Sequence, residues 1–231
     1  MAIIYGRADS EKQLDKYPNQ VQALEDINKV HQELRKEIKE TFDAGVSGGI
    51  KKSNKKQQIN KFEKNKDDPL HTETLELNTL DVLKKLHDEF HVLCGVNLAL
   101  PDYIIYNGTK NLKSAQMDFV VVSKRGVVLL EAKNWSTIYY NKNENLSPHE
   151  QVDRAARVLW ITLKSWRNPR NPAVKSVVLA TRDNMRYDPK YKFVSVSNLD
   201  KINSFLQNRE EEFSEKEVKR VVGRLVHHVT T

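Results

Sequence analysis

Apolar residues fall into two kinds of run along this chain, and the difference between them lays out its elements. From Pro18 onward Val21, Leu24, Ile27, Val30, Leu34 and Ile38 recur at three- and four-residue steps as far as Phe42, with Glu, Lys, Gln and Arg between them. That spacing predicts a long amphipathic helix over 19–43 whose narrow stripe is like a coiled-coil seam. Gly45, Gly48 and Gly49 end it. Leu75, Thr79, Val82, Leu83 and Leu86 predict a second helix over 74–89. Elsewhere the apolar residues are consecutive and rich in β-branched types, which predicts strands at 90–100, 117–122, 127–130, 174–181 and 193–196, the last two of the buried kind. Ser123, Lys124, Arg125 and Gly126 join the second and third of these as a hairpin.

Smaller signals fill the gaps. Residues 2–5 predict an edge strand or a piece packed on another element, 101–113 reads as an irregular connection, and Tyr139 with Tyr140 suggests a further short strand. Ser147 with Glu150 has the spacing of a capping box and Pro148 suits a first helical position. The helix that begins there carries Val152, Ala156, Leu159, Ile161, Leu163 and Trp166, and Pro169 and Pro172 stop it. Ser214 and Glu217 form a second box, with Phe213 and Val218 as its hydrophobic staple, ahead of a last helix running to about residue 228. The order of elements indicates an α/β domain with a mixed sheet flanked by helices.

Composition narrows the class. Leu, Val and Ile are plentiful, so most of the 231-residue chain can build a core. The single cysteine, Cys94, rules out an intramolecular disulfide and a Cys-rich zinc site, and its apolar setting marks it as a small core residue. No apolar run approaches the roughly 18 residues a membrane span needs, and the opening MAIIYG lacks the basic start of a signal peptide. These features point to a soluble cytoplasmic protein. A net charge of +7 and a pI near 9.3 favour a polyanionic partner. Much of that charge lies in one polar segment, where Lys51, Lys52, Lys55, Lys56, Lys61, Lys64 and Lys66 face a single Glu. The segment reads as a flexible basic linker that either lies along phosphates or serves as a solvated tether. The chain thus divides into an N-terminal segment with the long helix (1–44), the linker (45–68) and a folded domain (69–231).

The chemistry concentrates in QMDFVVVSKRGVVLLEAKNW, residues 116–135. Asp118 sits inside one apolar strand, and Glu131 and Lys133 close the next. A charge moved out of water into such a strand loses several kcal/mol of solvation, so these three need a compensating partner. Alternation puts Glu131 and Lys133 on one face about 6–7 Å apart, with Ala132 on the other. A hairpin partner brings Asp118 beside Glu131, and two close carboxylates repel unless a cation or a proton lies between them. A hard divalent cation with oxygen ligands meets that need, since Mg²⁺ takes one or two carboxylates and keeps several waters. The plainer alternative is an ordinary salt bridge from Lys133 to Glu131 or Asp118.

With helix, hairpin and following helix in order, the chain from about Glu73 to Val229 resembles the nuclease-related domain family (NERD), a branch of the PD-(D/E)XK nuclease superfamily. The stretch Gln116 to Asp118 is similar to that family's Gln-x-Asp, EAKNW from Glu131 to its Glu-x-Lys-Asn, and SPHEQ, with Pro148 and Gln151, to its Pro-x-x-Gln. Glu76 falls where the family has its helical glutamate, although the local sequence HTETLEL lacks the family's glycines and leaves Glu73 as a rival. The resemblance implies a restriction-endonuclease-like fold and a DNA nuclease using Mg²⁺ or Mn²⁺. It implies that Asp118, Glu131, the Ala132 carbonyl and Glu76 hold the metal. Lys133 would position and deprotonate the attacking water, and Gln151 would steady that water or a phosphate. The other class of reading is a nucleic-acid-binding or oligomerising module on the same fold, with residues 19–43 forming a homodimer.

Overall fold

The computed structural model describes residues 1–8, 69–133, 147–166, 174–180 and 185–229. Six strands form one sheet whose spatial order follows the chain: β1 (Ile3–Tyr5), β2 (His91–Tyr106), β3 (Thr109–Ser123), β4 (Gly126–Lys133), β5 (Val174–Ala180) and β6 (Val194–Ser197). β2, β3 and β4 make an antiparallel meander, whereas β1 joins β2, β5 joins β4 and β6 joins β5 in parallel. The mixed α/β sheet expected from the sequence is therefore present. Among the described residues four helices flank it: α1 (Pro69–Lys84), α2 (Pro148–Ser165), α3 (Leu199–Gln207) and α4 (Glu215–Leu225), the last continued by a 3-10 turn, Val226–His228.

The helices divide between the two faces of the sheet. On one, Val120, Val122, Leu129 and Val178 meet Val158 and Leu159 of α2 and Val221 and Leu225 of α4. On the other, Phe119, Val121, Leu130 and Leu179 meet Leu80 and Leu83 of α1 and Ile202 and Leu206 of α3. β4 is covered on both faces and all its residues but Lys133 are buried, which is why it reads as an unbroken apolar run. Each fully buried Leu or Val there contributes about 1.5–3 kcal/mol.

Several expectations need correction. α1 starts at Pro69 and ends at Lys84, earlier at both ends than the apolar spacing suggested. The stretch 101–113 is no irregular connection: β2 continues to Tyr106 and β3 returns from Thr109 through Asn107 (φ 48) and Gly108 (φ 80). Asn and Gly tolerate these left-handed angles, as a two-residue hairpin turn requires. β6 is an edge strand rather than a buried one, with Val194 its only fully buried residue and the neighbouring Phe193 69% exposed. The capping box at α2 is half formed. Ser147 Oγ accepts the Glu150 N–H at 3.0 Å, but the Glu150 carboxylate is taken by the Tyr191 hydroxyl at 2.9 Å. The box at α4 is complete, and both staple residues, Phe213 and Val218, are buried. Helix α3, which the sequence reading did not anticipate, caps itself with Asn198. The predicted helix over 19–43, the basic linker, the strand at Tyr139 and Tyr140, and the stops at Pro169 and Pro172 lie outside the described residues.

One irregularity positions the chemistry. β2 and β3 keep a constant register from His91↔Val122 to Ala99↔Ser114, which sets Gly95 opposite Asp118. Yet Cys94 and Phe119 pack under α1 and α3, while Val96 and Met117 pack against the α2 side. Residues two apart in a flat strand share a face, so both strands change faces at Gly95 and Asp118. Gly95 adopts φ 59, an angle open to glycine at little cost. The sheet is creased there, and Asp118 lies in the crease.

Candidate functional site

The β3–β4 ladder ends at Phe119↔Leu130, and the same register carried one step further sets Asp118 against Glu131. Past that rung a side chain takes over from the backbone: Asp118 Oδ2 accepts the Ala132 N–H at 2.9 Å. The N–H and C=O of one strand residue project to the same edge, so the Ala132 carbonyl also points towards Asp118 and not into β5. Glu131 is 8% exposed, and its Oε1 accepts from Lys133 Nζ at 2.8 Å. Its other oxygen, Oε2, is buried without a hydrogen-bond partner. Leaving a buried acceptor unmet costs about 1–3 kcal/mol.

The charges of the group are strongly coupled. Burial, then the Glu131 carboxylate and, less strongly, Glu76 push the Asp118 carboxyl well above the usual carboxylate range, against the opposing pull of Lys133 and the Ala132 N–H. Asp118 keeps some exposed area as a residue, but its carboxyl group is packed deep among protein atoms. Burial on its own would lower the Lys133 ammonium. The carboxylates of Glu131 and Asp118 outweigh it and hold Lys133 above the ordinary lysine value. Lys133 is thus a fixed cation, and the plainer expectation of a salt bridge to Glu131 is met at the same time as the carboxylates are brought together.

Glu76, half-buried on α1, lies near enough for its charge to act on both Asp118 and Lys133. The side chain of Glu73 lies outside the described residues, as do Lys51, Lys52, Lys55, Lys56, Lys61, Lys64 and Lys66. Gln151 stands half-buried in the first turn of α2, its N–H bonded to the Ser147 carbonyl at 2.9 Å. Beside it His149 is buried and stacked on Tyr191. Burial lowers its pKa, partly opposed by Asp188, so the imidazole is neutral near pH 7. Among the described residues no three His, Cys, Asp or Glu side chains form a ready-made metal cluster. Two carboxylates and a backbone carbonyl are nonetheless a donor set that Mg²⁺ accepts when water completes its shell.

Some contacts around the site carried no sequence signal. Tyr106 Oη donates to Asp153 Oδ2 at 2.8 Å, tying the far part of β2 to α2, and Tyr191 ties Glu150 to the 3-10 turn Pro189–Tyr191. These pairs are separated by 47 and 41 residues and no local pattern announces them. Gly95 is different, since a lone glycine inside an apolar strand run is a recognised mark of a bulge.

An aspartate, a glutamate and a lysine thus converge at a crease in the mixed sheet of an α/β protein. Residues 71–181 match the family model described as "Nuclease-related domain" (NERD). The chain is thus similar to that family over a span that includes Glu76, Asp118, Glu131, Lys133 and Gln151. No curated protein matches the chain. Among solved structures, the small subunit of a heterodimeric restriction endonuclease aligns over 74% of this chain and 89% of its own, at 14% identity and a TM-score of 0.32. No helix among the described residues is long and apolar enough to cross a membrane.

Proposed function

We propose that the chain is a divalent-metal-dependent nuclease that hydrolyses phosphodiester bonds of DNA at Asp118, Glu131 and Lys133. The observation that carries this reading is the unpartnered, buried Oε2 of Glu131 beside an Asp118 that burial and its acidic neighbours push towards protonation. A site that leaves one carboxylate oxygen unmet, beside a second carboxylate on which burial and acidic neighbours outweigh the pull of Lys133, is complementary to a cation. Asp118, Glu131 and the Ala132 carbonyl would hold Mg²⁺ or Mn²⁺, with Glu76 adding charge. When bound, the ion supplies charge neutralisation at the phosphoryl group under attack.

The chain's own residues do the rest. Lys133 brings a cation, held by Glu131, to the oxygens of the scissile phosphate or to the attacking water, and it can give up a proton once another positive charge shares its carboxylates. The Asp118 acceptor bond to Ala132 fixes the end of β4 on which Glu131 and Lys133 stand. Gln151, from the capped start of α2, would orient water or phosphate. The folded domain would comprise residues from about 69 onward together with β1, which pairs with β2, and residues 19–43 would pair two copies, so that deleting 19–43 alone turns a dimer into a monomer by light scattering.

One observation favours a second reading. The Lys133–Glu131 ion pair at 2.8 Å occupies one carboxylate oxygen already, as a non-catalytic nucleic-acid-binding module would tolerate. Incubating the chain with plasmid, linear and single-stranded DNA, with and without Mg²⁺ or Mn²⁺ and beside Lys133→Ala, decides between them. Metal-dependent cleavage lost in the variant supports the nuclease, and binding without cleavage in any condition supports the module.

A further inference from the structure

The outer part of β2 and β3 is built unlike the rest of the sheet. β1 pairs only with residues 91–93 and β4 only with residues 119–123. Beyond the crease at Gly95 and Asp118 the two strands run on as a two-stranded ribbon, touched at its edge by a single bridge from Val96 to Val229. From Met117 to Thr109 the ribbon extends about 27 Å at the usual rise per residue.

Its two faces differ. One is held down: Leu98, Leu100, Tyr106 and Leu112 join the core under α2. There the Arg154 guanidinium lies 4.9 Å from the Tyr106 ring centroid and donates to the Asn111 carbonyl at 3.2 Å. The other face is left uncovered by the described residues. Ala99 and Ser114 are exposed there, and farther out Tyr103 and Ile105 are 54% and 67% exposed, two of the few large apolar side chains left in water among the described residues. Lys113 Nζ sits 5.4 Å from the Tyr103 ring centroid, and Lys110 pairs with Ile105. Between residues 97 and 116 Asp102 is the only acid set against these two lysines.

We propose that this uncovered ribbon face is the docking surface for the nucleic acid, lying along the same strand that carries Asp118. Lys110 and Lys113 take backbone phosphates, and Tyr103, with Ile105 beside it, takes the flat face of a base or sugar. The chemistry matches: aromatic rings stack on bases of any sequence, lysines neutralise phosphates, and a two-stranded ribbon fits the major groove of a duplex. A second copy of the chain is a poorer occupant, since lysines on an edge strand discourage pairing with another sheet. Because the ribbon is continuous with β3, a strand bound to it is led to the crease where Asp118, Glu131 and Lys133 meet. This inference rests on the nuclease reading and adds to it the surface that selects and orients the substrate.

The test uses the full chain and fluorescently labelled duplex and single-stranded oligonucleotides, with binding read by anisotropy in EDTA across a salt series and cleavage read separately with Mg²⁺. Lys110→Glu with Lys113→Glu should weaken binding tenfold or more at 0.1 M salt and reduce the logarithmic salt slope by about 1.8 on duplex, from about 0.9 per lost phosphate contact. Tyr103→Ala should weaken single-strand binding about fivefold or more, and circular dichroism and melting temperature should be unchanged in both. Wild-type affinity and slope in these variants, with wild-type cleavage that Lys133→Ala abolishes, would overturn the ribbon and leave the nuclease standing. A changed oligomeric state with unchanged binding would overturn it in favour of a second copy. A wild-type chain that neither binds nor cuts any of the oligonucleotides would overturn both.

Discussion

The two halves of the β2–β3 pair, inward and outward of Gly95 and Asp118, are made from the same kind of hairpin and serve different ends. The inner half has strands on both edges and helices on both faces, and Phe119, Val120, Val121 and Val122 are all buried. The outer half has one face on α2 and the other in water, ending at an exposed Asn107 and Gly108. A site placed where the two meet draws rigidity from one and access from the other. The crease lets an aspartate in a buried strand turn its carboxylate onto the neighbouring strand's end.

If that contrast is right, substitutions should divide sharply by half. Phe119→Ala empties a site with no exposed area and is expected to cost about 3–5 kcal/mol in urea unfolding. Ile105→Ala, on the uncovered face, should stay within about 0.5 kcal/mol. Comparable losses at the two positions would erase the distinction between the halves.

At the crease itself the expected effects are intermediate. Lys133→Met leaves Glu131 buried with both oxygens unmet and should destabilise the metal-free protein on the order of 2 kcal/mol. Adding Glu131→Gln to it should return much of that loss, because the stranded charge is gone; a double variant as unstable as the single would mean that the pair is not coupled.

Asp118 gives a pH signature. Its folded pKa lies well above its unfolded one, so the folded state holds the proton more tightly. The stability this contributes is complete below the unfolded pKa of about 3.9 and is lost as pH rises towards and through the raised folded value. Asp118→Asn, which keeps an oxygen for the Ala132 N–H, should therefore melt like the wild type near pH 4 and progressively higher than it towards pH 8, without metal. A difference that shrinks with rising pH would contradict the burial argument.

A small effect belongs to the ribbon tip. Gly108 has φ 80 and open space around it, so Gly108→Ala meets no clash and pays only for the left-handed backbone, about 1 kcal/mol. A neutral result by thermal melting would mean that the turn relaxes freely.

The same division explains what could be read from the sequence. The inner strands announced themselves, because burial on both faces writes runs such as VVV and GVVLL. The start of α2 was legible from Ser147 and Pro148, and that of α4 from Ser214 and Glu217. The ribbon was not, since Pro101 reads as a break. Pro lacks the N–H a central strand needs, but Pro101 falls where the β2–β3 register shifts between Ala99 and Ile104, so the missing donor is not demanded. Asn107-Gly108 was the overlooked signal of a tight turn. Helix α3 was missed despite Ile202, Phe205 and Leu206 at helical spacing, because its nine residues fall between stronger patterns. At the site, the Asp118, Glu131 and Lys133 grouping followed from hairpin register alone, whereas the crease, the Ala132 bond and the unpartnered oxygen of Glu131 depend on three-dimensional packing that no spacing encodes.

The account rests on the buried Asp118 and Glu131 pair being a divalent-cation site, and calorimetric titration of Mg²⁺ into the metal-free full chain, beside Glu131→Gln, tests that most directly. The predicted result is saturable binding to the wild type, a melting temperature that rises with Mg²⁺ concentration by linkage, and loss of both in the variant. Equal binding by wild type and variant, or saturable binding by neither, would contradict it.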